Sequence, residues 1–432
     1  MVNYGGDEVA ALVVDIGTSS VRAGYAGDDT PKAIIPSYYG YIPVKEQDVL
    51  MGDGTQGSEL PPKAKLYVGS SGPSVWRKGM EIANPIVDGM ISDFNPIPAL
   101  VRHALEDVMR CTPSEHPILV TEPTWNTQAN REIMAEIMFE EFQVPAFYIA
   151  NTGVLNAFAA GKGSALVIDV GQSMASVTPV VDGFVLRKGL SYSPLPNFIH
   201  AHAHHLLTTP TMHRPGIELI PHQLIASKMP VEPMAPPRYT LREDRPPGTT
   251  NSWRMWAERK EVNDWIQSVA GVLEQGWNDA AAANRPLKQY EFPTGYNTPF
   301  GPERFQIGEE FFWHTVKLAG TSAPPNLPKP IPPLITESLR ACDPELRQVL
   351  MGNVVLTGGG SLFAGFADRL GSELARSFQH VKIHAPGNTV ERRYGGWLGG
   401  SILASLGTFH QLWISKEEWQ EHGRSIVGQR CK

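Results

Sequence analysis

One pattern occurs twice in this chain, and it constrains the fold more than any other. Ala10 to Val14 is a continuous apolar run ending in Asp15-Ile16-Gly17-Thr18-Ser19-Ser20. Ala165 to Ile168 is another, ending in Asp169-Val170-Gly171-Gln172-Ser173. Short apolar runs bounded by turn residues read as buried strands. Each turn leads into a further apolar run, Val21 to Tyr25 or Val177 to Val181, closing on Gly27 or Gly183. Two such hairpins predict two lobes of like architecture facing each other. A third run, Val354 to Thr357, enters Gly358-Gly359-Gly360, after which Phe366, Leu370 and Leu374 recur at helical spacing. A further helix is predicted over Arg131 to Phe142, with Ile133, Met134, Ile137, Met138 and Phe142 on one face. Strands alternating with helices define an α/β layered fold.

The paired turns also suggest chemistry. A glycine-bearing hairpin exposes backbone N–H groups that can cradle phosphate oxygens. Hydroxyls at Thr18, Ser19, Ser20 and Ser173 add donors. A carboxylate beside a triphosphate is repelled unless a cation lies between, so Asp15 and Asp169 together imply Mg²⁺, held through water because that ion dehydrates reluctantly. Either Asp-x-Gly alone is ordinary turn chemistry; the matched pair with the triple glycine favours a nucleotide. Gly358 to Gly360 open a helix, whose N-terminus favours anions, and Leu362 and Phe363 are placed to pack on an adenine face.

Other features carry less. His200, His202, His204 and His205 invite a metal reading, but no Asp, Glu or Cys joins them at ligand spacing, so a partly buried helix face is the better reading. Trp253, Trp256, Trp265, Trp277, Trp397 and Trp413 read as core or groove residues, because cations do not interleave with them systematically. Net charge is −7 without a basic run, which gives no electrostatic grip on DNA. Three scattered cysteines without a C-x-x-C pair suit a reducing compartment. No apolar run approaches a membrane span and the N-terminus lacks a signal peptide, so a soluble intracellular protein is expected. Met229 to Ser252 and Ala323 to Pro333 are proline-rich and expected to be exposed; Gly52 to Pro62 is expected to be a mobile loop.

The chain resembles actin and the actin-related proteins along nearly its whole length. The resemblance rests on Asp15 to Asp29, Thr121-Glu122-Pro123, Asn130-Arg131-Glu132, Ile137 to Glu140, and Gly399 to Leu406 through Trp413 to Lys416. Tyr4 to Val9, Tyr290 to Pro293, Gly295-Tyr296-Asn297 and Asn388 to Tyr394 are similar to the nuclear, chromatin class of that family. The resemblance implies an α/β, actin-like (ribonuclease H-like) two-lobed ATPase fold with four subdomains. The expected boundaries are 1–36, 86–159 and 395–432 for the first; 37–85 for the second; 160–195 and 288–394 for the third; and 196–287, with its insertion at 229–252, for the fourth.

It further implies ATP and Mg²⁺ in the central cleft, held by Asp15, Gly17, Thr18, Ser19, Arg22, Asp169, Gly171, Gln172, Ser173, Gly358, Gly359, Gly360, Phe363 and Arg393. Where actin orients the attacking water with a glutamine and assists it with a histidine, this chain has Thr152 and Ser176; Gln172 replaces an aspartate. Binding without hydrolysis is therefore expected, and no enzyme activity. Lys228 is a candidate remnant of the adenine-side Lys-Glu pair. The loop that links actin subunits is replaced around Gly52 to Pro62, so no filament is expected. The implied role is a structural subunit of nuclear chromatin-remodelling and histone acetyltransferase complexes. There it would pair with actin on a helicase–SANT-associated helix, with histones or nucleosomes as a further partner class. The groove for that helix would be lined by Tyr148, Phe158, Phe184, Leu403, Leu406, Thr408 and Leu412. An active ATPase of the actin, Hsp70 and sugar-kinase superfamily, or a polymerising cytoskeletal protein, are the alternatives.

Overall fold

A computed structural model describes residues 10–43, 64–212, 214–315 and 326–432. The Gly52 to Pro62 loop, the Tyr4 to Val9 motif and the start of the Ala323 to Pro333 stretch lie outside those residues.

Two sheets share one plan. In the first lobe, β1 (Leu12–Ile16) runs antiparallel to β2 (Ser20–Tyr25) and parallel to β3 (Ile118–Glu122), which is parallel to β4 (Ala146–Asn151). In the second, β5 (Ala165–Val170) runs antiparallel to β6 (Ala175–Val181) and parallel to β7 (Val354–Thr357), which is parallel to β8 (Ile383–His384). The register places Asp15 opposite Arg22 and Asp169 opposite Ser176, at the same end of each sheet. The repeat read from the sequence is thus a repeat of sheet topology. The central strands are apolar and buried on both faces for most of their length, the composition that parallel pairing under helices demands, and turn polar only at the cleft end, at Asp15, Thr121, Glu122, Asp169 and Thr357.

The chain passes from one sheet to the other through α1 (Thr152–Ala159), which starts where β4 ends; the Asn151 side chain caps it by accepting from Gly153 N at 3.0 Å. α2 (Leu195–Thr208), α3 (Asn251–Val269) and α4 (Phe366–Ser377) cover the second lobe, and α5 (Gly395–Ser405) returns to the first. α1 and α5 touch backbone to backbone: a Cβ on Gly399 would lie 1.8 Å from the Leu155 carbonyl oxygen. Beside it Trp397 is fully buried and donates from Nε1 to Val13 O at 3.1 Å.

Each lobe has its own apolar core, one around Val13, Leu119 and Phe147, the other around Ile168, Leu356 and Trp265. A third, smaller core joins Met80 and Ile82 to Ile220, Leu224, Trp253 and Ala257. Trp253, Trp265, Trp397 and Trp413 are core residues, as expected.

Three sequence expectations need adjustment. The helix expected over Arg131 to Phe142 is α-helical over Gln128–Glu136 and then widens to a π-helical turn over Ile137–Glu141, which buries Met138 and Phe139. The Met229 to Ser252 stretch is mostly exposed but not irregular: Ile225–Met229 pairs with Arg238–Leu241, and α3 begins at its end. The histidines lie on α2, as expected of a helix face, yet a glutamate does join them. Glu310, fully buried, lies 3.0 Å from His202 Nδ1 and 2.7 Å from His314 Nδ1. Sequence spacing could not reveal a partner so distant in the chain. Among the described residues no group of three side chains is arranged to hold a metal, and no helix is long and apolar enough to cross a membrane.

Candidate functional site

The two hairpin turns and the triple-glycine turn converge on one cavity of about 600 Å³ between the lobes. All fourteen residues that the resemblance assigns to ATP and Mg²⁺ line it, as do Thr152 and Ser176; Ser20, named as a further hydroxyl donor, does not. The turns meet directly: Thr18 Oγ1 and Ser173 Oγ are 2.8 Å apart, a hydrogen bond between lobes. Ser37 Oγ donates to Gly17 O at 2.6 Å and Asn84 Nδ2 to Thr18 O at 2.8 Å, which fixes the first turn from outside.

The third turn needs glycine at two of its three positions. Gly358 has φ of 88°, and a Cβ there would lie 2.3 Å from Val170 O and 2.4 Å from Asp169 Oδ1. At Gly360 a Cβ would meet Val170 Cγ1 at 2.6 Å. A side chain at either position would collide with the end of β5, so only glycine lets the turn pass this close to Asp169 and Val170.

Three carboxylates line it, in different states. Asp15 accepts from Thr121 Oγ1 at 2.6 Å and is ion-paired with Arg22. Arg22 also stacks its guanidinium over Tyr394, 5.1 Å from the ring centre. Glu122 is held by Arg131 and Asn126, each at 3.0 Å; burial pushes its acid up, and Arg131 opposes that. Asp169 has no hydrogen-bond or ion-pair partner among the described residues. Burial, and then the charge of Asp15, push its acid up to about 6, with Arg22 opposing. An enclosed carboxylate with no partner, beside a backbone anion cradle, is the donor set that a hydrated divalent cation satisfies. The residues present therefore fit Mg²⁺ held through Asp15 and Asp169.

The cavity is also lined by the apolar side chains of Ile266, Phe311, Leu362 and Phe363, with Asn263, Gln267 and Lys288. Here the expectation for Lys228 fails. Lys228 pairs with Glu291 at 2.6 Å on a separate, more open pocket, and does not line the cavity. Ile266 and Gln267 of α3 stand on the cavity wall instead. Thr121, Asn156, Ile266, Gln267 and Thr357 were not found by sequence reasoning. Thr121 sat inside a quoted motif without a role, and the others bear no local signal.

The residues named for the groove are divided. Phe184, Leu406, Leu412 and Thr408 are exposed, Phe158 and Leu403 half-buried. Tyr148 is only 8% exposed and packs edge-on to Phe409 at 5.0 Å, inside the core of the first lobe.

A two-lobed α/β protein with matched Asp-x-Gly hairpins closing on one cleft defines a class, and the chain belongs to it: it is a member of the actin family, matched over residues 6–432. Within that family it is similar to proteins named Actin-related protein 4. It is 36% identical to that of Mycosarcoma maydis, with 99% of each chain covered, and 38% identical to that of Emericella nidulans, with 99% and 98% covered. The Arabidopsis thaliana protein of that name is 35% identical over 99% of this chain and all of its own.

Proposed function

We propose that this protein binds Mg-ATP without turning it over and serves as a structural subunit of nuclear chromatin-remodelling and histone acetyltransferase complexes. In that reading the chain divides into the four subdomains that the resemblance implies. The protein would sit beside actin on a helicase–SANT-associated helix, with histones or nucleosomes nearby. The full-length likeness to proteins named Actin-related protein 4 supports an actin-related protein; the complex-bound role follows from the resemblance of Tyr290 to Pro293 and Asn388 to Tyr394 to the chromatin class.

The observation that carries nucleotide binding is the convergence of three glycine turns and an unpartnered Asp169 on one cavity. The three turns would bind the phosphates through backbone N–H groups other than those of Gly17 and Gly171, which donate to Ser20 O and Met174 O and so hold the hairpins in shape, and Phe363 would pack on the base. Asp15 and Asp169 would hold Mg²⁺ through water. The ion, when bound, offsets the charge of the phosphates.

Weak hydrolysis rests on what lines the phosphate end. Thr152 and Ser176 are neutral hydroxyl residues that cannot take a proton from water near neutral pH. Asp15 and Glu122 are both committed to arginines. Losing a positioned base costs on the order of 10² to 10⁴ in rate.

Melting the purified protein with and without millimolar Mg-ATP tests binding, since a ligand at a hundredfold excess over Kd stabilises by about 2.7 kcal/mol. A rise of a few degrees is expected, and ATP should be recovered intact after overnight incubation. An unmoved melting point removes the nucleotide, whereas recovery of ADP and phosphate removes the non-hydrolysing assignment.

A further inference from the structure

A second cavity, of about 430 Å³, has no part in the nucleotide reading. It shares no residue with the central cleft. Helix α3 serves both: Asn263, Ile266 and Gln267 line the cleft, while Glu261 and Asp264, neighbours at i and i+3, line this cavity. Tyr290 to Pro293, a motif that the sequence set apart, lines it too.

Its charge is out of balance. Glu261, Asp264 and Glu291 face a single ammonium, that of Lys228, and Lys228 is committed to Glu291 at 2.6 Å. Glu261 is only 7% exposed, and the nearest cationic group, the His222 ring, is 3.8 Å away. Burial, and then Lys260, hold the His222 imidazolium down, so it supplies no charge. Burial, and then Asp264, push the Glu261 acid up to about 7; Lys260 and the His222 backbone N–H oppose this without cancelling it. A buried carboxylate without a counter-ion is costly, and a cation from outside would relieve it.

That cation is organic, since no group of three side chains among the described residues is arranged to hold a metal. It also carries N–H donors. One ring, the half-buried Tyr290, stands beside the carboxylates; Phe292, edge-on to it at 4.9 Å, is 1% exposed. One accessible ring is not the aromatic box that a quaternary ammonium takes, whereas carboxylates accept from an ammonium or guanidinium.

The strands around the cavity point to a peptide as the bearer. Ile225, Ala226, Ser227 and Lys228 are consecutive, and all four line it. Successive side chains of a strand alternate between faces, so a run of four reaches a cavity along the strand's edge. Ile225–Met229 pairs with Arg238–Leu241, and Lys288–Glu291 with Asn297–Phe300; neither has a second strand partner among the described residues. Unpaired edges of this kind accept an extended segment.

We propose that this cavity docks a basic side chain carried by an extended segment of a partner protein. The side chain bonds to Glu261 and Asp264, and the segment's backbone runs along the Ile225–Met229 edge. Nothing in this depends on the nucleotide.

Methyl NMR of the full-length protein tests it. The Ile225 and Ala226 methyl signals are followed while the acetylated, amidated heptapeptide Thr-Val-Thr-Lys-Thr-Val-Thr, or its arginine or norleucine version, is added to millimolar concentration. Both signals should shift saturably with a basic peptide, at an affinity at least tenfold that for the norleucine peptide. Glu261→Gln should melt no lower than wild type, because it removes a buried charge, yet bind the basic peptides at least tenfold more weakly. Asp264→Asn, at an exposed position, should weaken binding by a smaller factor. Lowering the pH from 8 to 6 should weaken binding to wild type several-fold, as Glu261 takes up its proton, and leave Glu261→Gln unmoved. Absence of any shift, equal affinity for basic and norleucine peptides, or full affinity in both variants overturns the proposal. Spermidine that binds as tightly as the peptides also overturns it, and assigns the cavity to a free polyamine.

Discussion

At the scale of single residues, the cleft trades stability for ligand. Asp169 is enclosed, unpartnered and pushed up to about 6 by burial and by Asp15. Asp169→Asn should raise the melting point of the nucleotide-free protein and shrink the further rise that Mg-ATP produces. A variant that melts lower without ligand would show that the carboxylate has a structural partner. His200 makes the complementary case. It is buried, with Nε2 3.0 Å from the Arg259 carbonyl, and burial holds its imidazolium down to about 4. Its folded value lies below its unfolded one of 6.5, so it is neutral when folded. The stability of that neutral state is complete above 6.5 and is lost as pH falls from 6.5 toward 4. Between pH 7 and pH 5 the loss amounts to about 2 kcal/mol. Denaturant unfolding at the two pH values should show a smaller fall for His200→Gln, and an equal fall would acquit His200. The sequence made Asp15 and Asp169 legible because the repeat singled them out. It could not show that Arg22 would be tied to Asp15, or that Thr121 would arrive beside it, because the neighbours of β1 come from strands far along the chain.

At the scale of elements, spacing revealed helices but not all that they bury. Phe366, Leu370 and Leu374 marked α4, and each is buried as the period requires. Arg369 is on the same face and is 2% exposed in side chain, which no hydropathy pattern would assign to a core. Glu309 explains it: the two form a paired contact, Nη1 to Oε2 at 2.7 Å and Nη2 to Oε1 at 2.6 Å, with Glu373 adding a third bond. Arg369→Met alone leaves Glu309 buried and unpaired and should cost about 3–5 kcal/mol, while the double variant with Glu309→Leu should regain most of it. Chemical unfolding of the three proteins decides this, and a double variant as unstable as the single one would refute the pairing. The contact of α1 with α5 depends on the absence of a side chain. Gly399→Val would drive a Cβ into the Leu155 carbonyl, so soluble protein should be lost, whereas Gly407→Ala, with nothing within 4 Å, should express normally.

At the scale of the whole molecule, the paired hairpins announced two lobes, and the sheets repeat as expected. What the sequence did not announce is where the lobes meet: among other places, at the Thr18–Ser173 bond, at the stacked rings of Trp125 and Tyr192, and at the Trp253 contact. The last joins segments with no shared motif, so nothing in either predicted it. The exposed apolar side chains of Phe184, Leu406 and Leu412 also belong to this scale, since they fit a partner better than a core. Leu406→Glu should leave circular dichroism and melting unchanged but weaken co-purification with a helicase–SANT-associated helix by at least tenfold, because a carboxylate would be buried there unpaired. A variant that unfolds would return Leu406 to the core. Tyr148→Phe should not affect that binding, given how little of Tyr148 reaches the surface.

The close crossing at Gly399 also sets how the lobes can move. With Leu155 O and the backbone of Gly399 in contact, and Trp397 keyed into Val13, the helices have no room to slide past each other. Translation is blocked there and rotation is what remains, so the crossing acts as a pivot. The lobes then behave as two arms of a pair of tongs. A few degrees of turn at the pivot barely disturbs the nearby packing, while the same turn opens the tips, where Trp253 sits, by about 2–3 Å at an arm of about 30 Å. Any partner that grips both arms near the pivot therefore works at a mechanical disadvantage, and one that grips the tips needs little force to hold the jaws shut.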